Sequence, residues 1–322
     1  MENVIEPVRR ELADFEIAFE KLLHSDIPLA EKVVRYIAKH KGKRLRPILV
    51  FLSGRLMGEL NGKTMSAGIV VELLHTATLV HDDVVDDSDL RRGYATVNNL
   101  WTNKISVLVG DLLFSRTLST ILDIKDHDAL EIFSKTAKEI TEGELLQIER
   151  DHDYEMDELV YFDLISKKTA SLFGASCELG ALTVNASFEE RDRMRTFGRN
   201  LGVAFQIKDD LLDYIGDEKK LGKPRGNDIR ENKVTLPLIF TLKNVSKAEK
   251  EKILAILNNG ELVDDRISQI VELVNHNGGV DYSLAIARQY GEKALNILEC
   301  YPDSEFKSAL QNLVEFTIIR EK

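Results

Sequence analysis

The stretch SAGIVVELLHTATLVHDD, residues 66–83, decides the fold class. Its apolar residues recur three and four positions apart, which is the period of an α-helix, and they cover most of the helix faces. Such a helix is buried inside other structure, yet this one runs straight into carboxylates. Buried carboxylates are costly unless they meet cations or solvent in a cavity. The stretch therefore predicts a helical core with a polar site at the end of one helix.

Helical periodicity continues through most of the chain, and clean period-two alternation is absent. Several of the six prolines stand where helices are predicted to begin, at Pro7, Pro28, Pro47 and Pro237. No linker rich in proline, glycine and serine interrupts the chain. We predict one all-α domain over residues 1–322, with ten to twelve helices.

Composition narrows the class of protein. The 322 residues are 43% hydrophobic and 30% charged, with a formal net charge of −11. This balance disfavours a nucleic-acid binder, and it means that an anionic ligand must be held by a local basic cluster. The two cysteines, Cys177 and Cys300, lie in apolar helical contexts without metal-ligand spacing and are predicted to be reduced core residues.

The same reading predicts a soluble, cytoplasmic protein. The first 23 residues are amphipathic and charged rather than a secretory leader, and no uninterrupted apolar stretch reaches the ~18 to 20 residues of a membrane span. The sequence is also compatible with peripheral contact with a membrane.

The first acidic box is HDDVVDDSDLRRG, residues 81–93. On a helix, Asp82 and Asp86 lie one turn apart on one face, with Asp83 offset by about 100° and His75 almost in line with Asp82. Paired carboxylates suit Mg²⁺, which completes its shell with water and phosphate oxygens. A solvated acidic helix end explains a single box equally well.

A second acidic box favours the metal site over a solvated helix end. In FQIKDDLLDYIGD, residues 205–217, the acids fall at Asp209, Asp210 and Asp213, and Gln206 shares the face of the last two. Two boxes, each ending an apolar helix, are poorly explained by solvation alone. If the two helices face each other, they form the walls of a multi-metal site around a phosphorylated ligand.

Basic clusters accompany both boxes. Arginine offers a bidentate match to phosphate oxygens, and a helix N-terminus adds backbone N–H donors. Each cluster alone is typical of a solvated surface, but together they predict a diphosphate site. The clusters are Lys43, Arg44 and Arg46; Arg91 and Arg92; Lys167, Lys168 and Thr169; and Lys223 and Lys233 with Asp228 between them.

In this order of motifs the chain resembles the trans-type polyprenyl diphosphate synthases, which elongate isoprenyl chains head to tail. The motifs are GKRLRP, ELLHTATLVHDDVVDDSDLRRG, GDLLFSR, KTASLFGAS, GVAFQIKDDLLDY and GKPRGNDIRENKVTLP, within residues 40 to 240. The resemblance implies an all-helical bundle around a deep central apolar cavity, usually a homodimer.

The resemblance also implies the substrates and the residues that hold them. By this resemblance, isopentenyl diphosphate is bound by Lys43, Arg46, His75 and Arg92. The allylic diphosphate is contacted by a second set of residues, of which Arg91 and Lys168 also take part in catalysis. This set is Arg91, Lys168, Thr169, Gln206, Lys223 and Lys233.

Three Mg²⁺ ions are implied for each active site. The resemblance implies that Asp82, Asp86 and Asp209 are the ligands of these ions and, through them, catalytic residues. Four further acids are implied to orient metal-bound water: Asp83, Asp210, Asp213 and Asp228.

Product length is predicted from the residues one turn before Asp82. Ala77 and Thr78 are small there, and in this family small residues let the chain grow past them, with Phe133 as the candidate floor. We expect the primer to be farnesyl or geranylgeranyl diphosphate and the product to have six to nine isoprene units. Octaprenyl diphosphate, which supplies quinone side chains, is the best single candidate for the product. Alternatives are hexa-, hepta-, nonaprenyl or geranylgeranyl synthases, then a terpene cyclase or a non-catalytic partner subunit.

Overall fold

A computed structural model describes residues 1–91, 93–216, 226–258 and 264–319. It confirms the all-α class, with one small hairpin added. The first half contains α1 (Glu2–Ile5), a 3₁₀ turn (Glu6–Val8), α2 (Arg9–Leu23), α3 (Pro28–Lys39), α4 (Leu45–Met57), α5 (Gly62–Val85), β1 (Leu90–Arg91), β2 (Tyr94–Ala95), α6 (Val97–Leu100), α7 (Asn103–Asp123) and α8 (His127–Arg150).

The second half is also helical. It contains α9 (Glu158–Ile165), a π-helical turn (Ser166–Ala170), α10 (Ser171–Thr183), α11 (Phe188–Ile215), α12 (Asn227–Arg230), α13 (Leu236–Asn244), α14 (Lys247–Leu257), α15 (Asp264–His276), α16 (Gly279–Leu298) and α17 (Glu305–Ile319). The described residues thus hold more helical segments than the ten to twelve expected, because one-turn helices and the π-helical turn divide the chain more finely.

Helix α5 follows from its sequence at both ends. The Asn61 side chain accepts the Lys63 N–H at 2.9 Å, and the Thr64 hydroxyl accepts the Asn61 N–H at 3.3 Å, which is a capping box. The helix ends at Val85 because Asp87 takes a left-handed backbone conformation, with φ of 49°. Most of its apolar residues between these ends are buried, as predicted.

The chain divides into two compact units. Unit 1 comprises Met1–Ala137, Leu172–Gly198 and Ile297–Leu313. Within it, a Cβ on Gly110 of α7 would lie 2.1 Å from His81 Nε2 of α5, so only glycine allows this approach. A Cβ on Gly180 of α10 would similarly lie 2.3 Å from the Val50 carbonyl oxygen of α4.

The described residues of unit 2 fall within Lys138–Ser171, Arg199–Asn296 and Val314–Lys322. Its core gathers the apolar faces of α9, α11, α13 and α15, with Tyr161, Ile207, Leu236 and Ile270 almost fully buried. The single domain expected over residues 1–322 stays a prediction.

Both cysteines are free, but only one is buried. Cys177 lies in the core on α10, where burial raises the pKa of its thiol to about 12. Cys300 is exposed, in the turn that follows α16. The prediction of two core cysteines was therefore wrong for Cys300, because its helix ends at Leu298.

One helix in the described part of the chain, α7, is long and apolar enough to cross a membrane by length and composition. In its most apolar window, 39% of the residues are buried. Core helices of soluble proteins pass the same test, so the observation is weak evidence of a span.

Candidate active site

The first acidic box begins in the last turns of α5. Asp86 follows the helix directly, and its N–H donates to the Asp82 carbonyl at 2.8 Å, so the helical geometry extends to Asp86. Asp83 is buried, whereas Asp82 is half-buried and Asp86 exposed. The box thus has a buried middle acid and two accessible outer acids on one face, as a site for cations requires.

The buried acid of this box has an arginine partner. Arg91, on β1, donates from Nε to Asp83 Oδ1 at 2.6 Å. Burial raises the pKa of Asp83, while the charge and hydrogen bond of Arg91 act in the opposite direction. Arg91 was predicted to contact a diphosphate; the structure adds this contact with Asp83, which the sequence did not indicate.

Three of the four residues predicted to bind isopentenyl diphosphate lie on α4 and α5 of unit 1 or just before α4. Lys43 is exposed and Arg46 half-buried, with the Arg46 guanidinium 5.1 Å from the centre of the Phe173 ring. His75 is also half-buried. Arg92 lies outside the described residues.

Three residues were predicted to set product length. Ala77 is buried on α5, and the half-buried Thr78 donates its hydroxyl to the His75 carbonyl at 2.9 Å. Phe133 is buried on α8, and its ring centre lies 6.0 Å from that of Phe114. Their role in chain length stays a prediction.

The second acidic box lies near the end of α11, in unit 2. Asp209 is half-buried, and Asp210 is buried with both carboxylate oxygens occupied. The Tyr161 hydroxyl donates to Asp210 Oδ2 at 2.6 Å, and Gln206 Nε2 donates to Oδ1 at 2.8 Å. The contact between Gln206 and Asp210 follows from the four-residue spacing that the sequence shows.

A continuous network extends from this acid to the lysine–threonine motif. The Thr169 hydroxyl donates to Gln206 Oε1 at 2.7 Å, which fixes the orientation of the Gln206 amide toward Asp210. The network joins the π-helical turn, α11 and α9. Residues predicted from separate motifs thus lie in direct contact.

Lys168 stands in the π-helical turn rather than in an ordinary α-helix, and π-turns are frequent at functional sites. Its Nζ donates to Glu144 and Gln147 of α8 at 2.8 Å and 2.9 Å. Nζ also lies 2.8 Å from the other carboxylate oxygen of Glu144, so contacts with α8 fix the position of the ammonium group. A Cβ on Gly143 would lie 2.7 Å from the Lys168 backbone nitrogen, so glycine permits this close approach of the turn to α8.

Asp213 also contacts the start of α12. Its Oδ2 accepts the Asp228 N–H at 2.9 Å, and its carbonyl accepts the Gly226 N–H at 2.9 Å. Gly226 takes φ of 70°, which glycine adopts without strain. Lys233 donates to Glu231 at 2.8 Å. Lys223, also predicted for this site, lies outside the described residues.

A cleft of about 160 Å³ in unit 2 collects most of these groups. Six of its lining residues were predicted from the sequence: Lys168, Thr169, Gln206, Asp210, Asp228 and Lys233. Gln147, Arg150, Asp151 and Tyr161 line it too and were missed. A polar pair three residues apart on α8, Glu144 and Gln147, was a sequence signal for the side of the cleft that α8 forms, because both side chains contact Lys168.

A divalent cation fits the donor types of the two boxes. Among the described residues, no group of three or more acids, histidines or cysteines could hold a metal ion without other ligands. Mg²⁺ in phosphate-binding sites takes one or two carboxylates and completes its octahedron with water and substrate oxygens. The accessible acids Asp82, Asp86 and Asp209 offer this kind of ligand.

Asp210 should make the stability of the metal-free protein depend on pH. Burial is the largest influence and raises the pKa of Asp210 from 3.8 to about 7; the hydrogen bonds from Tyr161 and Gln206 oppose this rise, and the charges of Asp209 and Asp213 add to it. An acid whose pKa is higher in the folded state stabilises the fold at low pH and loses that contribution as pH rises toward the folded pKa. Relative to Asp210→Asn, the free energy of unfolding of the wild type should fall by up to about 4 kcal/mol between pH 4 and 7.

Urea unfolding of the two proteins at several pH values, with a chelator present, measures this difference. The comparison with Asp210→Asn cancels the titration of the other acids. A difference that stays constant from pH 4 to pH 8 would show that Asp210 is ionised throughout.

The comparisons with known proteins agree with the motifs. A family model described as polyprenyl synthetase matches residues 27–274. The chain belongs to the polyprenyl synthetase family. It is 37% identical to an all-trans-nonaprenyl-diphosphate synthase (geranyl-diphosphate specific) of Rhodobacter capsulatus, over 99% of this chain and 98% of that protein. It is 33% identical to the octaprenyl diphosphate synthase of Escherichia coli K12, over 100% and 99%.

A solved polyprenyl synthase shares the fold. The Caulobacter crescentus enzyme, crystallised with calcium and isoprenyl diphosphate, superposes with a TM-score of 0.95, at 34% identity over 100% of this chain and 98% of that one. Membership of the polyprenyl synthetase family confirms the predicted fold class and identifies the chain as a prenyltransferase. It also indicates dependence on a divalent cation and isoprenyl diphosphate substrates.

Proposed function

We propose that this polyprenyl synthetase condenses isopentenyl diphosphate head to tail onto an allylic diphosphate, giving a long trans-polyprenyl diphosphate. The primer is farnesyl or geranylgeranyl diphosphate, and octaprenyl diphosphate, for quinone side chains, is the first candidate for the product. The observation that supports it best is the cleft of unit 2, where Lys168, Thr169, Gln206 and Asp210 line one space. The names of the two long-chain relatives support the product class.

The chemistry is ionisation of an allylic C–O bond, so the difficulty is the charge that builds on the leaving diphosphate. Three Mg²⁺ ions, when bound to Asp82, Asp86 and Asp209, supply positive charge there. Lys168 and Arg91 add fixed cations, which stabilise the diphosphate most where water is excluded. Lys223, Lys233 and Thr169 complete the binding of the allylic diphosphate.

The second substrate is held by its own cations. Lys43, Arg46, His75 and Arg92 bind the diphosphate of isopentenyl diphosphate, so that its double bond is presented to the allylic cation. Apolar walls keep water from quenching the cation. Proton loss then completes the new double bond, and the released diphosphate is the base that the family resemblance implies.

Incubation with Mg²⁺, farnesyl diphosphate and radiolabelled isopentenyl diphosphate tests this function. Label should enter the organic phase, and chromatography should give a product of six to nine isoprene units. Label in a cyclic hydrocarbon would support a terpene cyclase instead. Absence of extractable label, with Mg²⁺ saturating, would support a non-catalytic subunit.

Ala77→Phe should shorten the product. Ala77 is buried on α5, one turn before Asp82, so an added ring would occupy the space into which the prenyl chain is predicted to grow. Product analysis of the variant should show loss of several isoprene units. Ala67→Phe, at a buried alanine nearer the start of the same helix, controls for overpacking. An unchanged product in Ala77→Phe would contradict the placement of the tunnel.

The enzyme is further proposed to be a cytoplasmic homodimer. Five exposed apolar side chains recur along α7, which is typical of an interface: Val107, Leu108, Phe114, Leu118 and Leu122. A second copy that covers this helix would account for its apolar composition without a membrane. Light scattering on the purified protein should give the mass of two chains; that of one chain would contradict the dimer.

A further inference from the structure

We propose that Tyr161 is a positioning residue of this enzyme, which acts through Asp210 to hold the second acidic box in the shape that binds metal and diphosphate. The inference rests on the proposed function. It adds a residue on α9 that no part of the acidic or basic motifs contains.

The geometry pairs Tyr161 with Asp210. Its side chain is 2% exposed, lines the cleft, and donates to Asp210 Oδ2 at 2.6 Å across 49 residues of sequence. Gln206 holds the other oxygen at 2.8 Å. Because both oxygens have donors, the carboxylate plane is fixed, and Asp210 is held between the flanking acids Asp209 and Asp213.

Comparison of the two boxes shows why a tyrosine matters here. The middle acid of each box is buried, but Asp83 is held by the cation Arg91, whereas Asp210 is held by two neutral donors. A phenol and an amide orient a carboxyl group without placing a positive charge beside it, so hydrogen bonds from uncharged groups hold the middle acid of the second box in position.

The chemistry of Tyr161 fits a permanent donor. Burial, and then the charge of Asp210, raise its pKa well above the usual value of 10. The phenol therefore keeps its proton over the working pH range. Its task is to orient Asp210 rather than to exchange a proton with the substrate.

The test is Tyr161→Phe, which removes only the hydroxyl. The probe is Mn²⁺ in the presence of inorganic diphosphate, and electron paramagnetic resonance measures how much Mn²⁺ is bound. Loss of a group that orients a metal site costs roughly 10- to 100-fold in metal affinity, so the Kd for Mn²⁺ should rise by about tenfold or more. The KM for the allylic substrate should rise, and the KM for isopentenyl diphosphate should stay within twofold.

Tyr282→Phe is the matched control. Tyr282 also donates to a carboxylate, Glu158 Oε1, at 2.6 Å, but neither residue lines the cleft. This variant should lose a comparable hydrogen bond and keep its Mn²⁺ affinity. If both variants lower Mn²⁺ affinity equally, the effect is one of general stability, and the inference is overturned.

A double-mutant cycle covers the case in which Tyr161→Phe alone folds poorly. In an Asp210→Asn background no buried charge loses its donor, and Tyr161→Phe should then cause no further loss of Mn²⁺ affinity. A full additional loss there would overturn action through Asp210, as would wild-type affinity in the single variant. Failure of the wild type to bind Mn²⁺ and diphosphate would instead count against the proposed function.

Discussion

Asp209→Ala should lower turnover by about a thousandfold while the protein stays folded. Asp209 is the accessible acid of the second box on α11, and its neighbours Asp210 and Asp213 are buried. In the proposed mechanism, its loss removes a ligand of the ions that offset charge on the leaving diphosphate. That stabilisation is worth several kcal/mol, and about 4 kcal/mol corresponds to a thousandfold in rate. Asp82→Ala should act similarly on the first box.

Steady-state assays at saturating Mg²⁺ measure this effect, with circular dichroism to show that the variants fold. Glu272→Ala is a suitable control, because Glu272 is an exposed acid on α15 in the same unit as Asp209. It should keep the wild-type rate. Wild-type turnover in either aspartate variant would remove the metal assignment.

Glu72→Ala should lower the free energy of unfolding by about 3 kcal/mol. Arg44 Nη1 donates to Glu72 Oε1 at 2.6 Å, and both side chains are 7% exposed. Removal of one partner leaves a buried charge without its main counter-ion, which typically costs ~3 to 5 kcal/mol. The low end applies because Glu16 also contacts Arg44, at 3.1 Å.

This pair lies at the start of α4, beside two of the residues predicted to bind isopentenyl diphosphate, Lys43 and Arg46. Arg44 itself has φ of 55°, a left-handed conformation that is unusual outside glycine and that contacts must maintain. Urea unfolding compares Glu72→Ala with Glu6→Ala, which breaks an exposed pair with Arg9 and should cost less than about 1 kcal/mol. Equal effects of the two variants would contradict the buried-charge argument.

Much of the fold could be predicted because its signals are local. The three- and four-residue period of residues 66–83 indicated a buried helix ending in acids, and α5 has that form. The spacing of Gln206 and Asp210 placed them on one face, and they form a hydrogen bond. Such relations depend only on helix geometry.

The missed features depend on contacts between distant segments. Tyr161 meets Asp210 across 49 residues, and Glu144 meets Lys168 across 24, so neither pairing has a local spacing signal. The π-helical turn at Lys168 contains no residue type that would distinguish it from an α-helix in the sequence. The close approach of Gly143 to this turn depends on the tertiary fold, so no local pattern predicts it. Cys300 looked like a core residue because the predicted helix was carried past Leu298.

The most direct test is a crystal structure of the enzyme with Mn²⁺ and an allylic thiodiphosphate, which cannot ionise readily. Anomalous scattering locates the ions without reference to the protein. We expect carboxylate oxygens of both Asp82 and Asp209 to ligate ions that share one diphosphate group. Ions at one box only, or two boxes directed into separate spaces, would contradict the account.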